Sequence, residues 1–146
     1  MVAVGDIAPD FVAPNQDGAS FRLSSLRGAP VVLYFYPEAD TPGCTIESKG
    51  FRDVSPEFLA HKVQIVGVSV DDCPKQKAFA QKYGLPFPLI ADSSKSVAQA
   101  YGVLNPRGRA RRVTFLIDPV GKVVEVIDTS SPAPHLEKAR ARFLGK

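Results

Sequence analysis

Four short runs of β-branched and aromatic residues punctuate this chain: VVLYFY at residues 31–36, VQIVGVSV at 63–70, VTFLI at 113–117 and VVEVI at 123–127. Each is too short for a helix of ordinary length and reads as a strand buried on both faces. The turn signal DPVG, residues 118–121, joins the last two as a hairpin. Helical patterns fill the gaps. One spans residues 74–83, opened by Pro74 and stopped at Gly84. A second spans 94–101, with a serine cap and Gly102 beyond its end. A third carries the apolar stripe Leu136, Ala139 and Phe143 and ends at Gly145. Residues 11–23 read as two short strands around Asn15–Gly18. Strands alternating with helices, then a hairpin and a last helix, predict an α/β fold with a central mixed β-sheet flanked by helices.

At 146 residues the chain suits one domain, residues 1–146, and no repeat or composition break divides it. The net charge of +3 is too small to imply a nucleic-acid partner. Two cysteines do not make a disulfide scaffold. The first residues, MVAVGDIAPDF, lack a basic region, and Asp6 and Asp10 interrupt their apolar character, so no signal peptide is expected. The longest strongly apolar stretch, residues 31–36, is far short of a membrane span. These features predict a cytoplasmic protein in a reducing compartment, without a membrane partner, where a free cysteine is more often reactive than structural.

Cys44 sits where the first long strand gives way to a helix. Thr41 is a good N-cap, Pro42 a good first helical residue, and Cys44 then falls at the third position. The first turn of a helix carries unpaired N–H groups and the positive end of the dipole, which stabilise a thiolate. Thr41 lies on the same face, with a hydroxyl that can donate to sulfur or to a bound oxygen. Taken by itself, the spacing also fits a buried cysteine used as a small hydrophobe.

The segment YFYPEADTPGCT resembles the active-site segment of the peroxiredoxins, Pro-x-x-x-Thr-x-x-Cys, with Pro37, Thr41 and Cys44 at the motif positions. The flanking GFRD, then GVSVDD, FAQKYGLPFPLIAD and TFLID, resemble the bacterioferritin comigratory protein branch, also called peroxiredoxin Q. The resemblance runs from GDIAPDF to the TFLID strand and weakens after Asp128. It implies a thioredoxin-like fold and a thiol-dependent peroxidase acting on hydrogen peroxide and organic hydroperoxides, recycled by thioredoxin or a similar dithiol protein. It places the family's arginine at Arg112, in an Arg-x-Thr-Phe pattern, and its glutamate at Glu47, three residues after the cysteine. Arg112 would keep the sulfur deprotonated by charge proximity. Thr41 and backbone N–H groups would hold the peroxide oxygens. Pro37 would exclude water from one side, and Glu47 would orient the guanidinium. By composition alone, Arg112 is a solvated charge beside Arg107, Arg109 and Arg111, and Glu47 an exposed helix residue. His61 and His135 read as surface residues at element ends. No His/Cys/Asp cluster has metal spacing and no glycine-rich phosphate loop occurs, so neither metal nor cofactor is expected. A monomer is expected.

The chain departs from its relatives in the second thiol. Many carry a resolving cysteine five residues after the first, where this chain has Lys49. Others carry it in the helix after the second core strand, at a position that aligns with Ala80. Here the second cysteine is Cys73, which would take the N-cap if Pro74 is the first helical residue. Cysteine is a poor cap. Positions 73 and 80 are two turns apart on nearly one face. Cys73 is therefore read as resolving in an atypical two-cysteine cycle. The alternatives are a one-cysteine enzyme recycled by an external thiol, and a non-enzymatic thioredoxin-fold binding module or holdase. A thiol–disulfide oxidoreductase fits less well, because TPGC has threonine where a C-x-x-C motif needs its first cysteine.

Overall fold

The structure, a computed structural model, describes all residues 1–146. A hairpin of β1 (Val12–Pro14) and β2 (Ser20–Arg22) leads into the main sheet. That sheet has the order β5-β4-β3-β6-β7, built from β3 (Val31–Phe35), β4 (Gln64–Ser69), β5 (Leu89–Ala91), β6 (Val113–Ile117) and β7 (Val123–Asp128). β3 pairs parallel with β4, and β4 with β5, while β3–β6 and β6–β7 are antiparallel. Each parallel pairing needs a crossover. α1 (Pro42–Ala60) supplies the first and α2 (Cys73–Tyr83) the second. α3 (Ser96–Tyr101) precedes β6, and α4 (Ala133–Leu144) closes the chain. The mixed sheet and hairpin agree with the sequence reading.

Period-2 alternation sorts β3 between two cores. Val31, Leu33 and Phe35 join Val66, Val68, Phe115 and Tyr101 on one face. Val32, Tyr34 and Tyr36 join Phe51, Phe58, Phe79 and Leu116 on the other, beneath α1, α2 and α4. Burying each such side chain contributes roughly 1.5–3 kcal/mol. Gly67 in β4 is required by this packing: a Cβ there would lie 2.9 Å from the Tyr34 ring and 2.9 Å from Leu89. α1 faces the sheet with Cys44, Glu47, Ser48, Phe51, Ser55 and Phe58, a helical stripe. Pro56 lies inside α1 and cannot donate to the Arg52 carbonyl. The Ser55 hydroxyl donates to that carbonyl instead, at 2.9 Å.

Four details of the elements depart from the sequence reading. Residues 89–91 form a strand where the sequence pattern assigns none, because three residues after a proline carry no period. The third helix begins at Ser96 rather than 94, and Asp92 caps it by accepting the N–H groups of Val97 and Ala98 at 3.1 and 2.8 Å. α2 begins at Cys73, so Cys73 is the first helical residue and Asp72 the N-cap, accepting the Lys75 N–H at 2.9 Å. β7 is only partly buried along its middle.

Candidate active site

Strand register brings the site together. Phe35, the last residue of β3, pairs with Val68 of β4 on one side and Val113 of β6 on the other. Val113 pairs in turn with Asp128 of β7. One end of the sheet therefore collects residues from four connections. Pro37, Thr41 and Cys44 come just after β3, Asp71 and Cys73 just after β4, Arg112 just before β6, and Thr129 and Ser130 just after β7.

Cys44 is buried, 1 % exposed, at the third position of α1. No side chain caps this helix, and neither Gly43 nor Cys44 donates its N–H to another backbone carbonyl, so both amides are available at the helix start. The Thr41 hydroxyl donates to the Glu38 carbonyl at 2.8 Å. The sequence reading leaves this hydroxyl to donate to sulfur or to a bound oxygen; here its proton goes to Glu38 instead, and the oxygen lone pairs remain. Thr41, Cys44, Pro37 and Arg112 line one open cleft together with Glu38, Asn105, Arg107 and Arg109.

Arg112 is held by three bonds. Its Nε donates to the Ser130 carbonyl at 3.0 Å, Nη1 to Glu47 Oε1 at 2.7 Å, and Nη2 to Cys44 Sγ at 3.4 Å. Its side chain is 9 % exposed. Burial works against its charge, but the facing Glu47 and Cys44 hold its pKa above the ordinary value. Gly43 permits this approach, since a Cβ there would lie 2.9 Å from Nη2. Of the four neighbouring arginines only Arg112 reaches sulfur. Arg111 pairs with Asp128 at 2.6 Å, and Arg109 with Glu38 and Asp71, each at 3.5 Å.

Glu47 is not the exposed residue that composition alone suggests. Its side chain is fully buried, and burial pushes its pKa up to about 7 against the opposing pull of Arg112. His135 corrects the sequence reading outright: it is fully buried, not on the surface. Its Nδ1 lies 2.7 Å from the Thr114 hydroxyl and 3.6 Å from Glu47 Oε2, and its Nε2 lies 2.8 Å from the Thr129 carbonyl. The signal available in the sequence is its place four residues before Ala139, on the inner face of the last helix.

Both cysteines are free, Cys44 buried and Cys73 partly exposed. The loops before them are stitched together. Ala39 N–H donates to Asp71 Oδ2 at 2.8 Å, and Lys75 pairs with both Glu38 and Asp71. Ala80 is buried, and Lys49 is exposed with its ammonium 5.8 Å from the Tyr83 ring centroid. No helix is long and apolar enough to cross a membrane.

Comparison with known proteins places this geometry. The AhpC/TSA family model matches residues 4–126. Peroxiredoxin Bcp of Escherichia coli strain K12 is 38 % identical over 138 residues, which is 90 % of this chain and 88 % of that protein. Among solved structures, peroxidoxin BcpB from Mycobacterium tuberculosis superposes with a TM-score of 0.93 at 40 % identity, covering 99 % of this chain and 98 % of its own. The Xanthomonas campestris bacterioferritin comigratory protein, described for its alkyl peroxide reduction activity, superposes with a TM-score of 0.86 at 30 % identity, covering 92 % and 90 %. The chain belongs to the AhpC/TSA family, as a peroxiredoxin of the bacterioferritin comigratory protein, or peroxiredoxin Q, branch, and is a thiol peroxidase.

Proposed function

We propose that Cys44 is the peroxidatic cysteine, that Cys73 resolves it, and that a dithiol protein of the thioredoxin type recycles the resulting disulfide. Residues 1–146 act as one domain in this reading. Substrates are hydrogen peroxide and alkyl hydroperoxides, the latter by analogy with the Xanthomonas protein. The observation that carries the proposal is the 3.4 Å contact between Arg112 Nη2 and the Sγ of a buried cysteine at an uncapped helix start.

The chemistry rests on the groups present. The Cys44 thiolate attacks one peroxide oxygen. The S–O bond forms as the O–O bond breaks, and the other oxygen leaves as hydroxide or alkoxide and takes a proton from solvent. Thr41, its own hydrogen committed to Glu38, offers a lone pair to the peroxide O–H and orients it. The amides of Gly43 and Cys44 and the Arg112 guanidinium face the charge that spreads over the oxygens. Pro37 covers one wall of the cleft. The product is a sulfenic acid. The Cys73 thiolate then attacks that sulfur, the S–S bond forms as the S–O bond breaks, and hydroxide leaves and takes a proton from solvent to become water.

A disulfide needs Cα atoms within about 7 Å. Cys44 is buried at the start of one helix and Cys73 starts another, so in this reading the first turn of α1 unwinds to present the Cys44 sulfur to Cys73. The stitching of residues 38–39 to Asp71 and Lys75 keeps the two loops adjacent while it does so. Tryptic mapping after one equivalent of peroxide tests this. A linked Cys44–Cys73 peptide that thioredoxin reduces is expected. Sulfinic acid at Cys44 with Cys73 still free would instead establish a one-cysteine enzyme.

A further inference from the structure

The aim of Arg112 depends on an exposed turn. Its Nε donates to the carbonyl of Ser130 at 3.0 Å, just past β7, and Ser130 and Ser131 are both exposed. Its two Nη groups are divided, Nη1 to Glu47 Oε1 at 2.7 Å and Nη2 to Cys44 Sγ at 3.4 Å. A rival arrangement lies close by. Glu47 Oε2 is buried without a hydrogen-bond partner, and guanidinium and carboxylate commonly pair through two parallel bonds. An arginine free to rotate would give both Nη groups to Glu47 and none to sulfur. The bond from Nε to Ser130 opposes that rotation, so the place of one carbonyl decides whether Nη2 faces Cys44.

One side chain ties that turn to the core. His135 of α4 is fully buried. Its Nε2 lies 2.8 Å from the Thr129 carbonyl, which can only accept, so Nε2 carries the ring hydrogen. Nδ1 then has a single lone pair, and the Thr114 hydroxyl donates to it at 2.7 Å. Both ring nitrogens are satisfied, and burial favours this neutral form. Thr114 stands two residues after Arg112, on β6, and Thr129 directly precedes Ser130. The links close a ring: Arg112 through the backbone to Thr114, then to the imidazole, to Thr129, to Ser130 and back to Arg112 Nε. The other hydrogen bonds within the turn are longer. Ser131 N–H donates to Thr129 Oγ1 at 3.4 Å, and His135 N–H to the Pro132 carbonyl at 3.2 Å.

We propose that His135 is a positioning residue for the peroxidase reaction: bonded to Thr114 through Nδ1 and to Thr129 through Nε2, it holds the Ser130 carbonyl where that carbonyl fixes Arg112 with Nη2 on Cys44. The imidazole acts through the arginine, and its own hydrogen bonds do not reach the sulfur. This rests on the reading of Cys44 as the peroxidatic cysteine. One arm of the test uses no peroxide, so the two can fail separately.

The first arm follows exchange of the Arg112 Nε–H with water by NMR in the reduced protein. His135→Leu keeps the bulk but loses both hydrogen bonds, and should speed that exchange about tenfold, the scale of one net hydrogen bond. His135→Gln supplies an N–H for Thr129 and a carbonyl for the Thr114 hydroxyl, and should keep it near the parent's. The second arm is a double-mutant cycle read by the second-order rate with hydrogen peroxide in stopped flow. His135→Leu should lower that rate about tenfold, less than the loss of a whole oxyanion donor, and His135→Gln should restore most of it. In the Arg112→Ala background His135→Leu should change the rate less than about twofold, because the two residues act as one unit. A loss of full size that persists without Arg112 means a merely structural role and overturns the proposal. So does unchanged Nε–H exchange in His135→Leu. If His135→Leu does not fold, Thr114→Val, which removes only the hydroxyl, carries the cycle and should move both readouts in the same direction.

Discussion

Arg112 donates from all three of its guanidinium nitrogens: Nε to the Ser130 carbonyl, Nη1 to Glu47 and Nη2 to Cys44. Arg112→Ala should lower the Cys44 thiolate fraction and reduce the second-order rate with hydrogen peroxide by about 10²-fold or more, the scale seen when one oxyanion donor is lost. Arg109, tied to Glu38 and Asp71 and not to sulfur, is the control, and Arg109→Ala should keep most of the rate. Comparable losses would mean that the arginines act only as a basic field. Gly43→Ala tests the same contact from the helix side. Its Cβ would arrive 2.9 Å from Nη2, so the guanidinium must move, and the rate should fall in stopped-flow assays while thermal stability changes little. Cys44, Thr41 and Arg112 are legible in the sequence because local spacing and the resemblance address them. The burial of His135 is not, since it depends on α4 folding back over α1. Nor is the direction of the Thr41 hydroxyl, since a donor's choice of partner is set by the loop.

At the scale of elements, α1 couples chemistry to stability. Glu47 is raised from 4.5 to about 7 by burial. A carboxyl raised on folding contributes stability that is present below its unfolded value and lost as pH rises through the folded one. Between pH 4.5 and about 7 the parent protein should therefore lose stability relative to Glu47→Gln. His135, held below 6.5 by burial, acts in the opposite sense and is present in both proteins. Chemical denaturation at several pH values checks this, and parallel profiles would contradict it. Further along the helix, Phe51 is fully buried against the Tyr34 ring, centroids 4.8 Å apart. Phe51→Ala should cost about 3–5 kcal/mol in the same assay. Most elements are legible from periodicity and from Pro and Gly punctuation. β5 is not, because a three-residue strand is defined by its pairing with β4 rather than by its own sequence. The start of α2 differs by one residue because Pro74 takes the second helical position rather than the first.

At the scale of the molecule, the sheet acts as a ruler. Pairing Phe35 with both Val68 and Val113 fixes both cysteines, Arg112 and the Thr129–Ser130 turn at one end. The rest of the sheet supplies two cores that hold that end still. Sequence patterning foretells the mixed sheet, while the convergence at its end depends on register. On the proposed mechanism one thiol, Cys44, takes the oxygen. The most direct measurement is a single turnover with one equivalent of hydrogen peroxide, read by residual peroxide and by intact mass. Cys73→Ser should consume the equivalent and carry the added oxygen on Cys44. Cys44→Ser should leave the peroxide untouched. Peroxide consumption by Cys44→Ser at the rate of the parent protein would contradict the account.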